Sequence, residues 1–303
     1  MEDRALRYFL AVIRAGSIRG AAEALHVASS AISRQIAEME AQHGLPLLER
    51  HARGVVPTEA GAAVAEHARR REEEALLLQD RLARLRRGEG GTVRLWAGEG
   101  LLADLLEHGL SPFGAAHPGI GFSVTLGGTA RIQEAVAEGE ADLGLAYNPP
   151  AQPGLTSLAR APQPLMAILP PGHRLARETG AVALHDLAGE PMGLMPPGHG
   201  IRHLLARVEA DGGFLLAPRL ETASIELLRR FVTSGMGITF LPRFSVGAEL
   251  RQGALVALPL ADPLPAAAMA HLLARAGREL PASSQRLAGW LGAHLLAFAP
   301  ARG

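Results

Sequence analysis

The spacing of apolar positions changes twice along the chain, and each regime predicts a different kind of element. In the first regime Leu6, Phe9, Leu10 and Ile13 recur at i, i+3, i+4 and i+7, which predicts one apolar stripe on a short helix. Gly16 ends that helix, and Ser17 is placed to cap the next, which runs through Ala21, Ala22 and Ala24 to Leu25. Small residues let two helices cross closely. After a break at His26 and Val27 a third helix begins near Ser29, with Ile32, Ile36 and Met39 on its apolar face. At about 100° per residue, Ser30 and Arg34 lie nearly opposite that face, with Ser33 and Ala37 on its flanks. Hydroxyls there can bond base edges or phosphates, and Arg can pair bidentately with guanine. An isolated helix with this face is as well described as a solvated surface. A helix, a tight turn and a second helix with small residues at the crossing form the helix-turn-helix pattern.

The second regime is a heptad. Thr58 is a plausible N-cap after Pro57, and from there to Arg87 there is no Pro and one Gly, Gly61. Val64, Ala68, Arg71, Ala75, Leu78, Leu82 and Leu85 step alternately by four and three, a seam with a polar interruption at Arg71. A helix of this length spans about 44 Å, enough to separate two DNA-reading heads by the roughly 34 Å between successive major grooves. The alternative is a helix lying on its own domain. Gly88, Gly90 and Gly91 then predict a hinge.

In the third regime strands alternate with helices. TVRLWAG, GFSVTLG and ADLGLAY are read as strands, with LLADLLEHGLSPF and TARIQEAVAEGE as helices between them. The same beat returns in PMGLM, GIRHLLARVEADGG, LLAPRLE, SIELLRRFVTSG and GITFLP. Such alternation predicts parallel strands with right-handed crossovers. Two tandem units predict a two-lobed receptor with a ligand cleft. APQPLMAILPPGH and the stretch from Ala266 onward are read as crossing strands and returning C-terminal helices. Residues 281–298, with Leu287, Trp290, Leu291 and Leu295, form an amphipathic core helix.

Ligands of open α/β sheets sit beyond the carboxyl ends of the strands, and helix N-termini attract anions. These two rules select Gly98, Glu99 and Gly100 after the first strand, and Gly128 and Thr129 before the second helix. In the second lobe they select Met195 through His199, and Thr222 through Ser224. Thr129 and Ser224 are also placed to N-cap their helices.

Composition narrows the picture. The 303 residues exceed one ordinary domain, and 48 % are hydrophobic, enough for packed cores. Thirty cations balance thirty acids, and every cation is Arg, so DNA contact must come from a local patch. Residues 1–58 carry seven Arg against six acids. One copy would therefore hold DNA weakly, and two copies on one DNA are expected. The absence of Cys excludes disulfides, thiolate nucleophiles and thiolate metal sites, and fits a cytoplasmic protein. The N-terminus lacks a signal-peptide pattern, and no apolar run approaches membrane-spanning length, so no membrane association is expected.

The stretch RAGSIRGAAEALHVASSAISRQIAEMEAQHGLPLLERHARGVVPTEAG, residues 14–61, resembles the N-terminal signature of LysR-type transcriptional regulators. The matching residues are Gly16-Ser17, Ala21-Ala22, Leu25, Ser33-Arg34-Gln35-Ile36, Glu40, Gly44, Leu48, Arg50 and Pro57-Thr58-Glu59-Ala60-Gly61. The resemblance implies that Ser29, Ser30, Ser33 and Arg34 lie on the recognition helix, and that Arg50 and Arg53 grip phosphate from the wing. Ser17 and Arg19 join the DNA-contacting set. Ser29-Ser30 stand where Gln-Pro is frequent in the family, a departure that bears on base preference. The second half is similar to the family's effector domain, a periplasmic-binding-protein-like fold, notably in TARIQEAVAEGEADLGLAY and ETASIELLRRFVTSGMGITFLP. In the family the residue after the first strand is often Ser or Thr and helps to bind a carboxylate. Here Gly98 and Glu99 hold the place. A carboxylate repels an anionic effector unless an Arg offsets it, which points to a neutral, zwitterionic or cationic ligand. The alternative is that Glu99 turns outward or caps a helix.

The expected architecture is an all-α winged helix-turn-helix over 1–58, a dimerisation helix over 59–87, a hinge at 88–92 and a two-lobed α/β effector domain over 93–303. Lobe 1 covers about 93–162 and 267–303, and lobe 2 about 163–266. The expected partners are double-stranded operator DNA, a small-molecule effector, further copies in a homo-dimer or tetramer, and RNA polymerase. His199 and His203, four apart, could share a helix face as metal ligands do, but no nearby acid completes a set. No phosphate loop, GxSxG elbow or HExxH motif is present. No cofactor, metal or catalytic residue is therefore expected. A periplasmic-type receptor and an enzyme on the same scaffold are the competing readings.

Overall fold

A computed structural model describes residues 3–51, 54–87, 90–178 and 180–299. The chain divides into two compact units, residues 1–81 and 82–303.

In the first unit α1 (Asp3–Ala15), α2 (Ile18–Leu25) and α3 (Ser29–His43) precede a two-stranded antiparallel wing, β1 (Leu48–His51) and β2 (Gly54–Pro57). The long helix α4 (Glu59–Arg87) follows. Gly16 at φ +63° turns the chain out of α1, and the Ser17 hydroxyl caps α2 by accepting from Gly20 N at 3.0 Å. Phe9, Leu10, Ala21, Ile32, Ile36, Met39 and Leu47 fill the core. Several residues of the sequence signature hold this frame. The Glu40 carboxylate accepts from the backbone nitrogens of Leu47 and Leu48, at 2.8 and 3.2 Å, and so fixes where the wing begins. Thr58 Oγ1 caps α4 by accepting from Gly61 N at 2.9 Å. Gly61 must be glycine because a Cβ there would lie 1.9 Å from the Leu47 carbonyl oxygen.

The heptad of α4 serves two surfaces. Ala68 is buried and Val64 packs on the helix-turn-helix core, whereas Leu78 and Leu82 are 57 % and 50 % exposed. The first turns thus lie on their own domain, and only the later positions remain uncovered. The Leu85 side chain lies outside the described residues.

The second unit is two-lobed. Lobe 1 carries a five-stranded sheet in the order β4-β3-β5-β12-β6, from β3 (Gly91–Ala97), β4 (Ile120–Leu126), β5 (Leu143–Tyr147), β6 (Leu155–Pro162) and β12 (Met269–Arg275). β3 is parallel to β4 and β5, but β12 enters antiparallel between β5 and β6. Lobe 2 joins β7 (Leu165–Leu169), β10 (Thr239–Pro242) and β11 (Val256–Pro259) in an antiparallel sheet, order β10-β7-β11. The parallel pair β8 (Met192–Leu194) and β9 (Pro218–Glu221) meets β10's side through a bridge from Met192 to Ile238. The strands expected to run parallel do so, β3 with β4 and β5, and β8 with β9 and with Ile238 at the start of the β10 segment; the crossing strand β7 lies between β10 and β11 and runs against both. β3 begins at Gly91, so the last two positions of the expected hinge belong to the sheet. Gly88 lies outside the described residues.

The helices around these sheets complete the lobes. α5 (Leu102–Asp104), a wider i→i+5 stretch (Leu105–Leu110) and α6 (Ser111–Ala116) run on as one helix. α7 (Thr129–Ala137) follows β4, and α8 (Gly200–Gly212) and α9 (Ile225–Thr233) belong to lobe 2, with the short α10 (Gly247–Arg251) and α11 (Pro263–Ala266). α12 (Ala282–His294) returns to lobe 1, burying Leu287 and Leu291. The chain crosses between lobes at 162–165 and 266–269. Gln163 N ties the two crossings by donating to Ala268 O at 2.8 Å, and the Tyr147 hydroxyl, at the end of β5, donates to Gln163 O at 2.8 Å. Burial pushes the Tyr147 phenol well above its ordinary pKa.

Candidate DNA interface and ligand cleft

The outer face of α3 presents Ser29, Ser30 and Arg34 to solvent, while Ile32, Ile36 and Met39 point inward. Ser33 is half-buried on the flank. The Arg34 guanidinium lies 3.8 Å from the Glu38 carboxylate, one turn on, and both are exposed. An exposed pair of this kind contributes little to stability, so Arg34 can leave Glu38 for a base edge or phosphate at small cost. Arg19, also exposed, pairs with Glu23 at 3.0 Å. The turn into α3 passes through His26 at φ +53°, whose N–H returns to the end of α2.

A narrow cleft of about 50 Å³, open to solvent, lies between the lobes of the second unit. Its floor on the lobe 1 side is the turn after β3, Gly98–Leu101, with Gly127 and Thr129 from the β4–α7 turn. Lobe 2 contributes Met195, His199, Ile201 and Ile225, and Phe244 and Ser245 from beyond β10. The walls are mostly apolar. Glu99 and His199 are the titratable side chains that line them along with the Tyr147 phenol, whose hydroxyl points away to Gln163. His199 Nδ1 donates to Pro196 O at 3.1 Å, which turns Nε2 toward Gly128.

Each lobe satisfies helix ends of the other. Glu99 in lobe 1 reaches α9 in lobe 2: its carboxylate accepts from Ser224 Oγ at 3.0 Å, Ile225 N at 2.7 Å and Glu226 N at 3.5 Å. Thr129 Oγ1 accepts from Gly200 N, the first residue of α8, at 2.9 Å, and donates to Tyr147 O at 3.3 Å. In return Gly198 O accepts from Ala130 N at the start of α7, at 3.2 Å. The fit is close: a Cβ on Gly200 would lie 1.9 Å from the Tyr147 carbonyl oxygen.

Residues 4–62 match the family model described as a bacterial regulatory helix-turn-helix protein of the lysR family, and residues 86–296 match the LysR substrate binding domain. The chain belongs to the LysR family of transcriptional regulators. This LysR-type chain is 34 % identical to an uncharacterized HTH-type transcriptional regulator of Mycobacterium tuberculosis, covering 83 % of this chain and 84 % of the relative. It is 29 % identical to the HTH-type transcriptional regulator CbbR of Rhodospirillum rubrum, over 96 % of this chain and 95 % of that one. Among solved structures, full-length BenM is similar at 27 % identity and a TM-score of 0.56, covering 97 % of both chains. Full-length OxyR of Pseudomonas aeruginosa shares the fold at 20 % identity and a TM-score of 0.68, covering 98 % of this chain and 96 % of that one. The chain is thus a DNA-binding regulator with an N-terminal helix-turn-helix and a C-terminal small-molecule-binding domain of mixed α/β fold.

The structure of this LysR-type regulator gathers Gly98, Glu99, Gly100, Thr129, Met195 and His199 around the cleft. Gly128, Thr222 and Ser224 are outside its lining. Gly128, not Thr129, is the N-cap of α7, and Thr129 uses its hydroxyl across the lobes. Ser224 does cap α9, accepting from Leu227 N at 3.2 Å, and Thr222 Oγ1 accepts from Ser224 N. His203 is exposed on α8, and no group of three metal-ligating side chains occurs among the described residues. On the DNA side Ser17 is engaged as a cap, and Arg53 and the Arg50 side chain lie outside the described residues. Tyr147, Phe244 and Ser245 were not expected at the cleft. Tyr147 is the last residue of β5, and Phe244 and Ser245 follow the end of β10, where the rule that selected Gly98 would also have found them.

Proposed function

We propose that this LysR-type regulator is an effector-gated switch that reads operator DNA with two or more copies of α3 and takes a small molecule into the cleft between its lobes. The carrying observation is the pairing of an exposed Ser29-Ser30-Arg34 face with an apolar cleft whose lobes hold one another by a few hydrogen bonds. Uncovered Leu78 and Leu82 on α4 support a dimer through that helix, and a dimer supplies the second DNA-reading head that a weakly charged domain needs. The assembly is a homo-dimer or tetramer, acts in the cytoplasm where operators are, and engages RNA polymerase at its promoters. Among the described residues, the cleft lacks a nucleophile held by a base, so it binds its ligand without turning it over. Effector binding acts by differential affinity for two arrangements of the lobes.

The test is selection of double-stranded DNA from a random pool by the full chain. A two-part site with half-sites spaced by about one helical turn is expected. Recovery of DNA with no common sequence, at an affinity that Arg34→Ala leaves unchanged, would overturn the reading.

A further inference from the structure

The N-terminus of α9, which reaches the cleft through Ile225, is a place beside it favourable to an anion. It combines the backbone N–H groups of Ile225 and Glu226 with the Ser224 hydroxyl at the positive end of the helix dipole. In this chain that place is filled from within. Both oxygens of Glu99 are used: Oε2 takes the Ile225 N–H, and Oε1 the Ser224 hydroxyl and Glu226 N–H. The second cleft-facing helix end of lobe 2, at Gly200, is likewise met by Thr129. What remains around the cavity is mostly apolar, Leu101, Met195, Ile201, Ile225 and Phe244, with His199 beside them and no Arg among the lining side chains.

We propose that Glu99 is a built-in anion that bridges the lobes and sets the ligand class: the cleft takes an uncharged, largely apolar small molecule and excludes free carboxylates. This rests on the reading of the cleft as the effector site. Two physical reasons support it. Tethering gives the Glu99 carboxylate an effective concentration at α9 of millimolar or more, which a free carboxylate must exceed. A free anion that left Glu99 in place would meet its charge in a mostly apolar cleft that no Arg side chain lines. Specificity here is exclusion by an occupied subsite, a repulsive element and not an added contact.

The experiment uses the full chain as parent, Glu99→Ser and Glu99→Gln, with benzoate and succinate as probes at constant ionic strength, read by thermal shift and calorimetric titration. Glu99→Ser vacates the helix end and leaves a hydroxyl. It is expected to bind benzoate at least tenfold more tightly than the parent, with Glu99→Gln gaining less because its amide still fills the space. If Glu99→Ser does not fold, Glu99→Gln carries the comparison. Equal benzoate affinity in parent and variant, or saturable stabilisation of the parent by benzoate or succinate, overturns the proposal. DNA selection by the parent is read separately. A failed Glu99 result with intact sequence selection removes this inference alone, whereas loss of sequence selection removes the regulator reading on which it stands.

Discussion

The Thr129 hydroxyl is shared between the lobes: it donates to the Tyr147 carbonyl within lobe 1 and accepts the Gly200 N–H at the start of α8 in lobe 2. Thr129 is buried, so neither bond is replaced readily by water. Thr129→Val keeps the shape but leaves a buried donor and acceptor unmet, which costs about 1–3 kcal/mol each at the upper bound. A lower denaturant midpoint is expected for Thr129→Val, and a smaller loss for Thr129→Ser. Equal midpoints for parent and Thr129→Val would show that the bridge contributes nothing.

At α3 the prediction concerns recognition. Arg34→Ala is expected to weaken binding to the selected operator by about 1–3 kcal/mol while affecting unrelated DNA much less. Glu38→Gln removes the acid that Arg34 faces at 3.8 Å and is expected to tighten binding to all DNA and steepen its salt dependence. Fluorescence anisotropy at several salt concentrations separates the two effects.

Gly61 offers a test of the frame behind the wing. Gly61→Ala places a methyl group against the Leu47 carbonyl, and the forced shift is expected to cost about 1–3 kcal/mol or more. Gly289, where a Cβ would meet nothing within 4 Å, is the control. It lies inside α12, where Ala is favoured over Gly by about 1 kcal/mol. Thermal unfolding should move in opposite directions for the two variants.

The pH dependence centres on His271. Its Nδ1 lies 2.8 Å from Ser157 Oγ across β12 and β6, and burial, then the nearby Arg160 charge, lower its pKa below 6.5. The unfolded chain therefore binds a proton at this site at pH values where the folded chain does not. Stability from this group is complete above pH 6.5 and is lost as pH falls through the window beneath it. His271→Asn is expected to flatten the stability profile in that window, measured by urea titrations at a series of pH values. An unchanged slope would show that His271 titrates alike in both states.

What the sequence disclosed and what it hid follow from the range of the interactions. The faces of α3 and α12 were legible because their residues repeat with the helix period, and Ile32, Ile36, Leu287 and Leu291 are buried accordingly. The turns after β3 and β8 were found because strand ends mark ligand sites without any knowledge of pairing. β12 was harder to place as a strand. It enters antiparallel between β5 and β6, and its partner Tyr147 is far away in the chain. β6 is mostly exposed and has no alternation to announce it. The destination of Glu99 depends on where α9 comes to rest, which no local pattern records, so the sequence could say only that Glu99 would repel an anion or cap a helix.

The wide stretch at Leu105–Leu110 carries a consequence for insertions and deletions. On a regular helix Leu105 and Phe113, eight residues apart, would point about 80° from one another. One residue absorbed by i→i+5 bonding turns the phase back by about 100°, so both reach the core, where each is 1 % exposed. The helix therefore holds one residue of slack, and Leu106, 60 % exposed, lies within it. Loss of a single codon, ordinarily among the worst injuries to a packed helix, would here leave the same two anchors seven residues apart and restore a regular spiral with their phase unchanged.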